Sequence, residues 1–404
     1  MLNPLNELHL LSSMDLSSVV AIDSHAYPLL TEANAASLSL TAAFLPRMAT
    51  DMIEQSAWPT LSYLRSRRDI AEFLACDPTE EAIQACRDRI GLESLAQKCL
   101  DAANLEAMFL EDGWFPESSL PLEEHRTLIP TYRLIHLEAL AERLMAEVDR
   151  FDVFLEWFRS ELDLTVPHVV GLVSTAAQRS GLAIQWVYRE MAEACFDGIK
   201  GRSPTPGHPI QLREKELIDF LLFEALNAAV AEGVPLQFDL GVGVAPLTAS
   251  LANPVLLSPL LEEPTYQSVP IVLRGGASLF SKESALLAAM YPQVFVDMGG
   301  LVTSLSVRGM KQRMQGLIAQ APLNKILYAS GARFFPEVFY LGATWGREIL
   351  GQALEEAVSD RDLSAAEAEE GAVAILRGTA QKIYVKERDV TGDTGCAQVS
   401  QRPA

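Results

Sequence analysis

A histidine and several acidic residues stand where short apolar runs of the sequence end. Asp23 and His25 follow the run SVVAI, and Asp239 ends PLQFD. A histidine held by a carboxylate is a general base near neutral pH, so His25 and Asp239 are predicted catalytic residues. The alternative is that His25 only supplies a structural hydrogen bond. The pair is a hypothesis of metal-free acid–base chemistry.

Three arginines and two acids are predicted to bind substrate. Arg179 in QRSG, Arg274 in VLRGG and Arg333 in GARFFPE each follow an apolar run. A guanidinium group can clamp a carboxylate or a phosphate through two parallel hydrogen bonds. Asp112 in FLEDGW and Glu138 in IHLE are further candidates. Support of the packing is the alternative role for these two acids, since neither has an evident nucleophile beside it.

Eight apolar runs, each followed by a segment with helical spacing, must position these residues. Such a repeat predicts an α/β fold with parallel strands, and eight strands predict a closed (β/α)8 TIM barrel, with a doubly wound sheet as the second choice. Catalytic residues of a barrel lie at the carboxyl ends of its strands. The predicted strands are Ser18–Ile22, Ala107–Glu111, Tyr132–Leu137, His168–Ser174, Pro235–Leu240, Pro270–Arg274, Gln293–Met298 and Lys325–Ser330.

The chain exceeds the roughly 250 residues of a plain barrel. We expect one barrel domain over residues 1–386, with a helical insertion at 45–105 after the first strand. The sequence Asp77-Pro78-Thr79-Glu80 carries helix-start signals inside that insertion. Residues 200–211 are rich in proline and glycine and predict a loop that could cover the barrel mouth, and residues 387–404 predict a poorly ordered tail.

Composition excludes some partners. The 53 acidic and 32 basic residues give a formal charge of −21, which argues against a nucleic acid or an anionic membrane as partner. The first residues lack the basic start and the cleavage pattern of a signal peptide, which predicts a cytoplasmic protein. The five cysteines lack the close paired spacing of a zinc cluster or a redox motif, so reduced thiols are expected.

Several longer segments together resemble the amidohydrolase-related (amidohydrolase 2) family, which includes the amidohydrolase halves of nodulin-type and sporulation-type glutamine synthetase fusions. They are IDSHAYPLL, FLEDGW, VVGLVSTAAQRSGL, PLQFDLGVG, LANPVLLSPLL, MYPQVFVDMG, KILYASGARFFPE and EEGAVAILRGTAQKIY. The resemblance covers roughly residues 16–385. It implies an amidohydrolase-type barrel and hydrolysis of C–N bonds.

The same resemblance implies metal ligands, and most of them are replaced. Relatives carry Asp-x-His-x-His after strand one, histidines after strands five and six, and an aspartate after strand eight, a set that suits a zinc-type ion. His25 matches the first histidine of that motif. The positions that depart are Tyr27, the strand-four position Val173, Asp239, Gly275 and Gly331. A degenerate metal site without a cofactor is therefore expected, with a weakly held divalent metal as the alternative.

Three functions follow. The first is a pseudoenzyme that binds a small molecule or a protein partner without hydrolysis, beside an amide-forming ligase as the fused relatives imply. The second is a metal-free enzyme of decarboxylase-like chemistry on a small carboxylated or amide-containing metabolite, using His25, Asp239 and the arginines. The third is a hydrolase that recruits a metal through Tyr27 and Asp239. Arg274 either fills the former metal space or binds substrate, and a homo-oligomer is compatible with all three.

Overall fold

Eight parallel strands form one sheet in the order in which they occur along the chain. The computed structural model describes residues 14–44, 60–111, 113, 117–202, 210–241, 247–301 and 304–384. The strands β1 to β8 are Ala21–Ala26, Leu105–Glu111, Thr131–His136, Val169–Ser174, Leu236–Asp239, Ile271–Arg274, Val294–Asp297 and Ile326–Leu327. Parallel strands covered by helices on the outside are buried on both faces, which explains their apolar sequences.

The segment after β8 closes the barrel against β1. The backbone N–H of Ser24 donates to the carbonyl of Tyr328, and that of Tyr27 donates to the carbonyl of Ala332, at 3.1 and 2.9 Å. The N–H of Gly331 donates to the carbonyl of His25. The fold is therefore the predicted (β/α)8 barrel.

Helices connect the strands on the outside. In chain order α1 to α16 are Glu32–Ser37, Leu61–Leu74, Glu80–Ile90, Leu92–Ala103, Leu122–Leu128, Leu137–Glu147, Phe151–Glu161, Ala176–Arg179, Arg189–Arg202, Lys215–Glu232, Ser258–Leu261, Ser281–Met290, Val307–Ile318, Pro336–Ser359, Ala365–Val373 and Thr379–Tyr384. A π-helical turn at Ala374–Gly378 joins the last two. Among the described helices, none combines the length and apolar character needed to cross a membrane.

Helices α2 to α4 lie between β1 and β2, where the insertion is predicted. The hydroxyl of Thr79 accepts a hydrogen bond from the N–H of Ala82 and so caps α3, which begins at Glu80. Helix α4 packs against the long helix α14. Residues 45–59 of the predicted insertion, residues 203–209 of the predicted loop and the predicted tail at 387–404 lie outside the described residues.

The amino end of the barrel is closed by apolar side chains. Ala380, Ile383 and Tyr384 of α16 join one buried cluster with residues inside the strands, among them Ile22 and Phe109. The rings of Tyr384 and Phe109 lie 4.8 Å apart between centroids. The phenol oxygen of Tyr384 also accepts a hydrogen bond of 2.8 Å from Nε2 of Gln237 on β5. Helix α16 is thus the floor of the barrel.

Several predicted strand ends need correction, and those of the first, third and eighth strands affect the predicted site. The first strand does not end at Ile22: it runs to Ala26 and carries Asp23 and His25 within it. Polar side chains ended the apolar pattern there, but both are buried at the closing seam. The third strand ends at His136, and Glu138 lies in the first turn of α6, which begins at Leu137. The eighth ends at Leu327, before Ser330.

Candidate functional site at the barrel mouth

A ring of buried polar residues lies at the carboxyl ends of the strands. Side chains two positions apart on a strand share a face, and each ring member follows an inward residue by two positions. Phe109, Leu134, Val272 and Phe295 form the apolar layer. The polar layer above it consists of Glu111 on β2, His136 on β3, Asp239 on β5, Arg274 on β6 and Asp297 on β7, with His25 on β1. Active sites of (β/α)8 barrels occupy this end.

Arg274 links three other residues of the mouth. Its Nη1 forms an ion pair and hydrogen bond with Oε2 of Glu111, and its Nη2 lies 3.5 Å from Oδ2 of Asp239. The guanidinium carbon lies 4.9 Å from the centroid of the Tyr27 ring. Burial acts to lower the pKa of Arg274, but Glu111, Tyr27 and Asp239 outweigh it, so the pKa is raised overall. The cation is therefore fixed in the mouth.

His25 lies beside Asp297. Its Nδ1 is 3.9 Å from Oδ2 of Asp297, too far for a hydrogen bond, and neither ring nitrogen has a hydrogen-bond partner among the described residues. Oδ1 of Asp297 accepts from the N–H groups of Gly275 and Gly299 at 2.5 and 3.1 Å. Burial, followed by the charge of Arg274, holds the pKa of His25 well below its ordinary value. Burial raises the pKa of Asp297 to about 7.

Asp23 fastens β1 to the residues that follow β8. Its carboxylate accepts hydrogen bonds from the N–H of Ser330 at 2.9 Å and from the Ser330 hydroxyl at 2.5 Å. Burial raises the pKa of Asp23 to about 7, although the hydrogen bonds from Ser330 and His25 oppose that shift. The role of Asp23 is to hold the seam, which also holds His25 in place.

His136 is neutral and fixed in one tautomer. Its Nδ1 accepts a hydrogen bond of 3.1 Å from the N–H of Ala139 and caps α6, so the proton must reside on Nε2. Nε2 lies 3.4 Å from Oε1 of Glu111. Burial lowers the pKa of His136 to about 4, despite the charge of Glu138. His136 therefore helps to orient Glu111, the partner of Arg274.

Three of the other predicted substrate-binding residues make structural contacts. Arg179 forms an ion pair with Glu142 and donates to the carbonyl of Leu212 at 2.8 Å. Nε of Arg333 donates to the carbonyl of Ala43 at 3.3 Å. The carboxylate of Glu138 accepts from the Ser174 hydroxyl at 2.6 Å and from the N–H of Thr175, which joins α6 to the end of β4. Asp112 lies outside the described residues, and substrate binding by these four stays a prediction.

The two residues of the predicted catalytic pair contact different partners. His25 faces Asp297, whereas Asp239 contacts Arg274 and accepts a hydrogen bond of 2.8 Å from the N–H of Gly241. An acid–base role for His25 and Asp239 stays a prediction.

The positions at which metal ligands are predicted to be replaced differ in their surroundings. Tyr27 adjoins the mouth, with its ring 5.0 Å from that of His25 in an edge-to-face contact, whereas Val173 is part of the apolar interior. Gly275 and Gly331 have φ values of +69° and +60°. A side chain at Gly331 would place its Cβ 3.1 Å from the N of Gly300. The backbone is therefore adapted to glycine where relatives are expected to carry an aspartate.

The donor set does not fit the expected hydrolytic metal. Within the described ranges, no group of three or more histidine, cysteine, aspartate or glutamate residues is arranged to hold an ion. A catalytic zinc-type site needs three protein ligands and one open position. Arg274 lies between Glu111 and Asp239, the carboxylates that a bound cation would attract. A permanently charged guanidinium group and a metal ion would compete for the same partners.

Sequence reasoning did not select Glu111, His136 and Asp297 as site residues. Glu111 and His136 occur near predicted strand ends, and Asp297 lies within a predicted strand. The alternation of side chains along each strand could have identified all three. Each follows an apolar inward residue by two positions, as Asp297 follows Phe295. Applied to every predicted strand, this spacing would have selected these three residues together with Arg274.

Comparison with known proteins shows related chains. Protein fluG of Emericella nidulans is 24% identical over 396 residues, which covers 90% of this chain but 45% of that protein. The chain thus spans less than half of the curated relative it matches. No family model matches.

Solved structures share the fold. A protein named as a metal-dependent hydrolase, from Lactobacillus casei, superposes with a TM-score of 0.80 at 23% identity, over 94% of this chain and all of that one. The glucuronate isomerase of Caulobacter crescentus gives 0.60 at 14%, over 94% and 93% of the two chains. At these identities the likeness establishes the fold alone, which is the predicted (β/α)8 barrel.

Proposed function

We propose that this protein is a non-hydrolytic barrel of the amidohydrolase type that binds a small polar metabolite at its mouth. The observation that carries the proposal is Arg274, whose guanidinium joins Glu111 and Asp239 where a hydrolytic site would need its metal. The fold and the likeness to fluG support a common origin with hydrolase-type barrels. Loss of the metal then changes the chemistry of the mouth without changing the scaffold, since function depends on the site more than on the fold.

Buried polar atoms without hydrogen bonds support ligand binding at the mouth. Arg274 would then bind a ligand in addition to occupying the position of the former metal. His25, Arg274 and Asp297 are each at least nine-tenths buried, and each keeps polar atoms without a hydrogen bond among the described residues. An unpaired buried polar atom costs about 1–3 kcal/mol, so a cluster of them is unfavourable unless something bonds to them. A polar ligand would satisfy these atoms and recover that free energy.

The test combines metal content with hydrolysis. Protein purified without chelator from medium rich in zinc, manganese and iron should contain far less than one ion per chain. It should also hydrolyse none of a panel of amides, amidines and lactones when Zn²⁺ or Mn²⁺ is added. A stoichiometric ion that disappears in His25→Ala, together with metal-dependent hydrolysis, would contradict the proposal and favour the hydrolase that uses Tyr27 and Asp239.

A second candidate function is that of a metal-free enzyme, and one observation supports it. Nδ1 of His25 lies 3.9 Å from Oδ2 of Asp297, and neither Oδ2 nor either ring nitrogen has a hydrogen bond among the described residues, which leaves a proton acceptor beside a second titratable group. Turnover of a carboxylated metabolite that is lost in both His25→Gln and Asp297→Asn, with the variants folded, would favour this candidate over a binding protein.

The proposal also includes a protein partner. The match covers 45% of fluG, and the sequence resemblance implies an amide-forming ligase as partner. We propose that this barrel acts beside such a ligase. Co-purification of the intact chain with that ligase from its native cells, or its absence, decides this point.

A further inference from the structure

The ligand of the mouth can be specified from the unpartnered atoms. In Arg274, Nη1 is engaged by Glu111, whereas Nε and Nη2 form no hydrogen bond in the described part of the chain. Nε and Nη2 are the two nitrogens of one side of the guanidinium plane, with parallel N–H bonds that match the two oxygens of a carboxylate. This edge thus forms no hydrogen bond in the described residues, although its Nη2 lies 3.5 Å from Oδ2 of Asp239.

A second group of unpartnered atoms involves Asp297 on the neighbouring strand β7 and His25 on β1. Asp297 is held against the neighbouring Gly275, whose N–H donates to its Oδ1, and its Oδ2 has no hydrogen-bond partner among the described residues. The same Oδ2 faces His25 at 3.9 Å, and the ring nitrogens of His25 are also unpartnered. The mouth therefore has an acceptor for N–H groups on β7 and a donor edge for carboxylate on the neighbouring β6.

The charge of the mouth decides between classes of ligand. One guanidinium group contacts the carboxyl groups of Glu111 and Asp239, and the carboxyl group of Asp297 lies on the neighbouring strand β7. Carboxyl groups already outnumber the guanidinium group at this site. A purely anionic ligand would add negative charge to that excess, and a dianionic phosphate would add the most. A purely cationic ligand would leave the open edge of Arg274 without an acceptor. A ligand with both signs of charge satisfies both groups.

We infer that the mouth binds a zwitterionic amino acid, with its carboxylate on Nε and Nη2 of Arg274 and its ammonium group on Oδ2 of Asp297. His25 then hydrogen-bonds the remainder of the ligand. This inference rests on the proposed binding function and names its ligand class.

The experiment measures binding of the twenty standard L-amino acids to the full chain by thermal shift and then by titration calorimetry. For the amino acid that binds best, two matched analogues are compared. The hydroxy acid replaces the ammonium group by a hydroxyl, and the primary amide removes the negative charge of the carboxylate. We expect each analogue to bind at least about tenfold weaker, the size of one charged hydrogen bond.

Variants assign the two contacts. Arg274→Lys keeps the charge but loses the planar edge, and should weaken the amino acid at least about tenfold. Asp297→Asn should weaken the amino acid but not its hydroxy analogue. Arg347→Lys, the same change at a buried arginine of the amino end, is the matched control and should leave the dissociation constant unchanged. Circular dichroism checks that each variant is folded.

The outcomes separate this inference from the function beneath it. Equal binding of the amino acid and its hydroxy analogue, or no binding of any amino acid, overturns the zwitterion. Neutral or anionic metabolites that bind with dependence on Arg274 would still leave the proposed binding function standing. Metal-dependent hydrolysis would overturn the function itself, whichever amino acid binds.

Discussion

The two ends of the barrel each contain a buried arginine, and the two arginines differ in how many of their nitrogens form hydrogen bonds. At the amino end, Arg347 of α14 donates from all three nitrogens to the carbonyls of Val19, Ala103, Asn104 and Ala343, at 2.9–3.3 Å. At the carboxyl end, Arg274 has two nitrogens without a hydrogen bond among the described residues. Burial lowers the pKa of Arg347, whereas that of Arg274 is raised because nearby carboxylates outweigh burial.

The difference separates a structural arginine from a binding one. A side chain that serves stability satisfies every donor it buries, because each unpaired donor costs free energy. Arg347 meets that condition by tying the chain segments that precede β1 and β2 to α14. Arg274 does not meet it, although it is just as deeply buried. In the proposed function a ligand completes the set, and the following predictions test this contrast.

The largest effect is expected from Arg347→Met. The substitution leaves the carbonyls of Val19, Ala103 and Asn104 without their donors, so we expect a loss of about 5 kcal/mol in the free energy of unfolding. Chemical denaturation monitored by circular dichroism measures it. Ligand affinity of the folded fraction should not change. A loss below about 1 kcal/mol would remove the distinction between the two arginines.

Arg274→Met should lower the free energy of unfolding less than Arg347→Met does, but it should weaken ligand binding more. Its removal leaves Glu111 without a countercharge, which costs about 3 kcal/mol, at the lower end for a broken buried pair. Binding at the mouth should fall at least about a hundredfold, since a bidentate charged contact is lost. In the double variant Arg274→Met with Glu111→Met, stability should recover while binding stays lost. Binding that survives in either variant speaks against a ligand on Arg274.

The sequence predicted the scaffold better than the site for a physical reason. Apolar runs such as PIVLR and QVFVDM are long enough to mark buried parallel strands, and the structure has β6 and β7 within them. Asp23 and His25 interrupt such a run, so the predicted first strand stopped short. The interruption is resolved only by Ser330, 307 residues away, whose hydrogen bonds satisfy Asp23.

Partners within the mouth depend on the same long-range closure. The pattern on β1 contains nothing that assigns His25 to Asp297 on β7 in place of Asp239 on β5. That assignment is a property of the strand register around the barrel, in which Asp239 pairs with Arg274 on the adjacent strand. Local spacing can identify inward positions, but which inward residues meet is decided by closure of the sheet.

The pH dependence of stability should differ between wild type and Asp297→Asn. Because burial raises the pKa of Asp297 to about 7, above the roughly 3.9 of an unfolded chain, the folded state binds the extra proton. Its contribution to stability is complete below pH 4 and is lost as the pH rises towards 7. The slope is up to about 1.4 kcal/mol per pH unit.

The asparagine variant should lack this part of the fall in stability, because an amide imitates the protonated acid and does not titrate. Denaturation curves from pH 4 to 8 provide the comparison, and the exposed Asp163→Asn serves as control because its carboxyl group is not buried. Parallel curves for wild type and Asp297→Asn would show that Asp297 titrates normally and that the mouth does not hold it in an unfavourable state.

The smallest effect is expected at the floor, from Tyr384→Phe. The hydroxyl accepts one hydrogen of Nε2 of Gln237, whose other hydrogen bonds the carbonyl of Ser24. Its loss should therefore cost only about 1 kcal/mol, the net value of one buried hydrogen bond, since the ring still packs on Phe109. Thermal unfolding and ligand titration are the measurements. Because Gln237 lies two positions below Asp239 on β5, a change in ligand affinity would mean that the floor positions the mouth, and the two ends of the barrel would then not be independent.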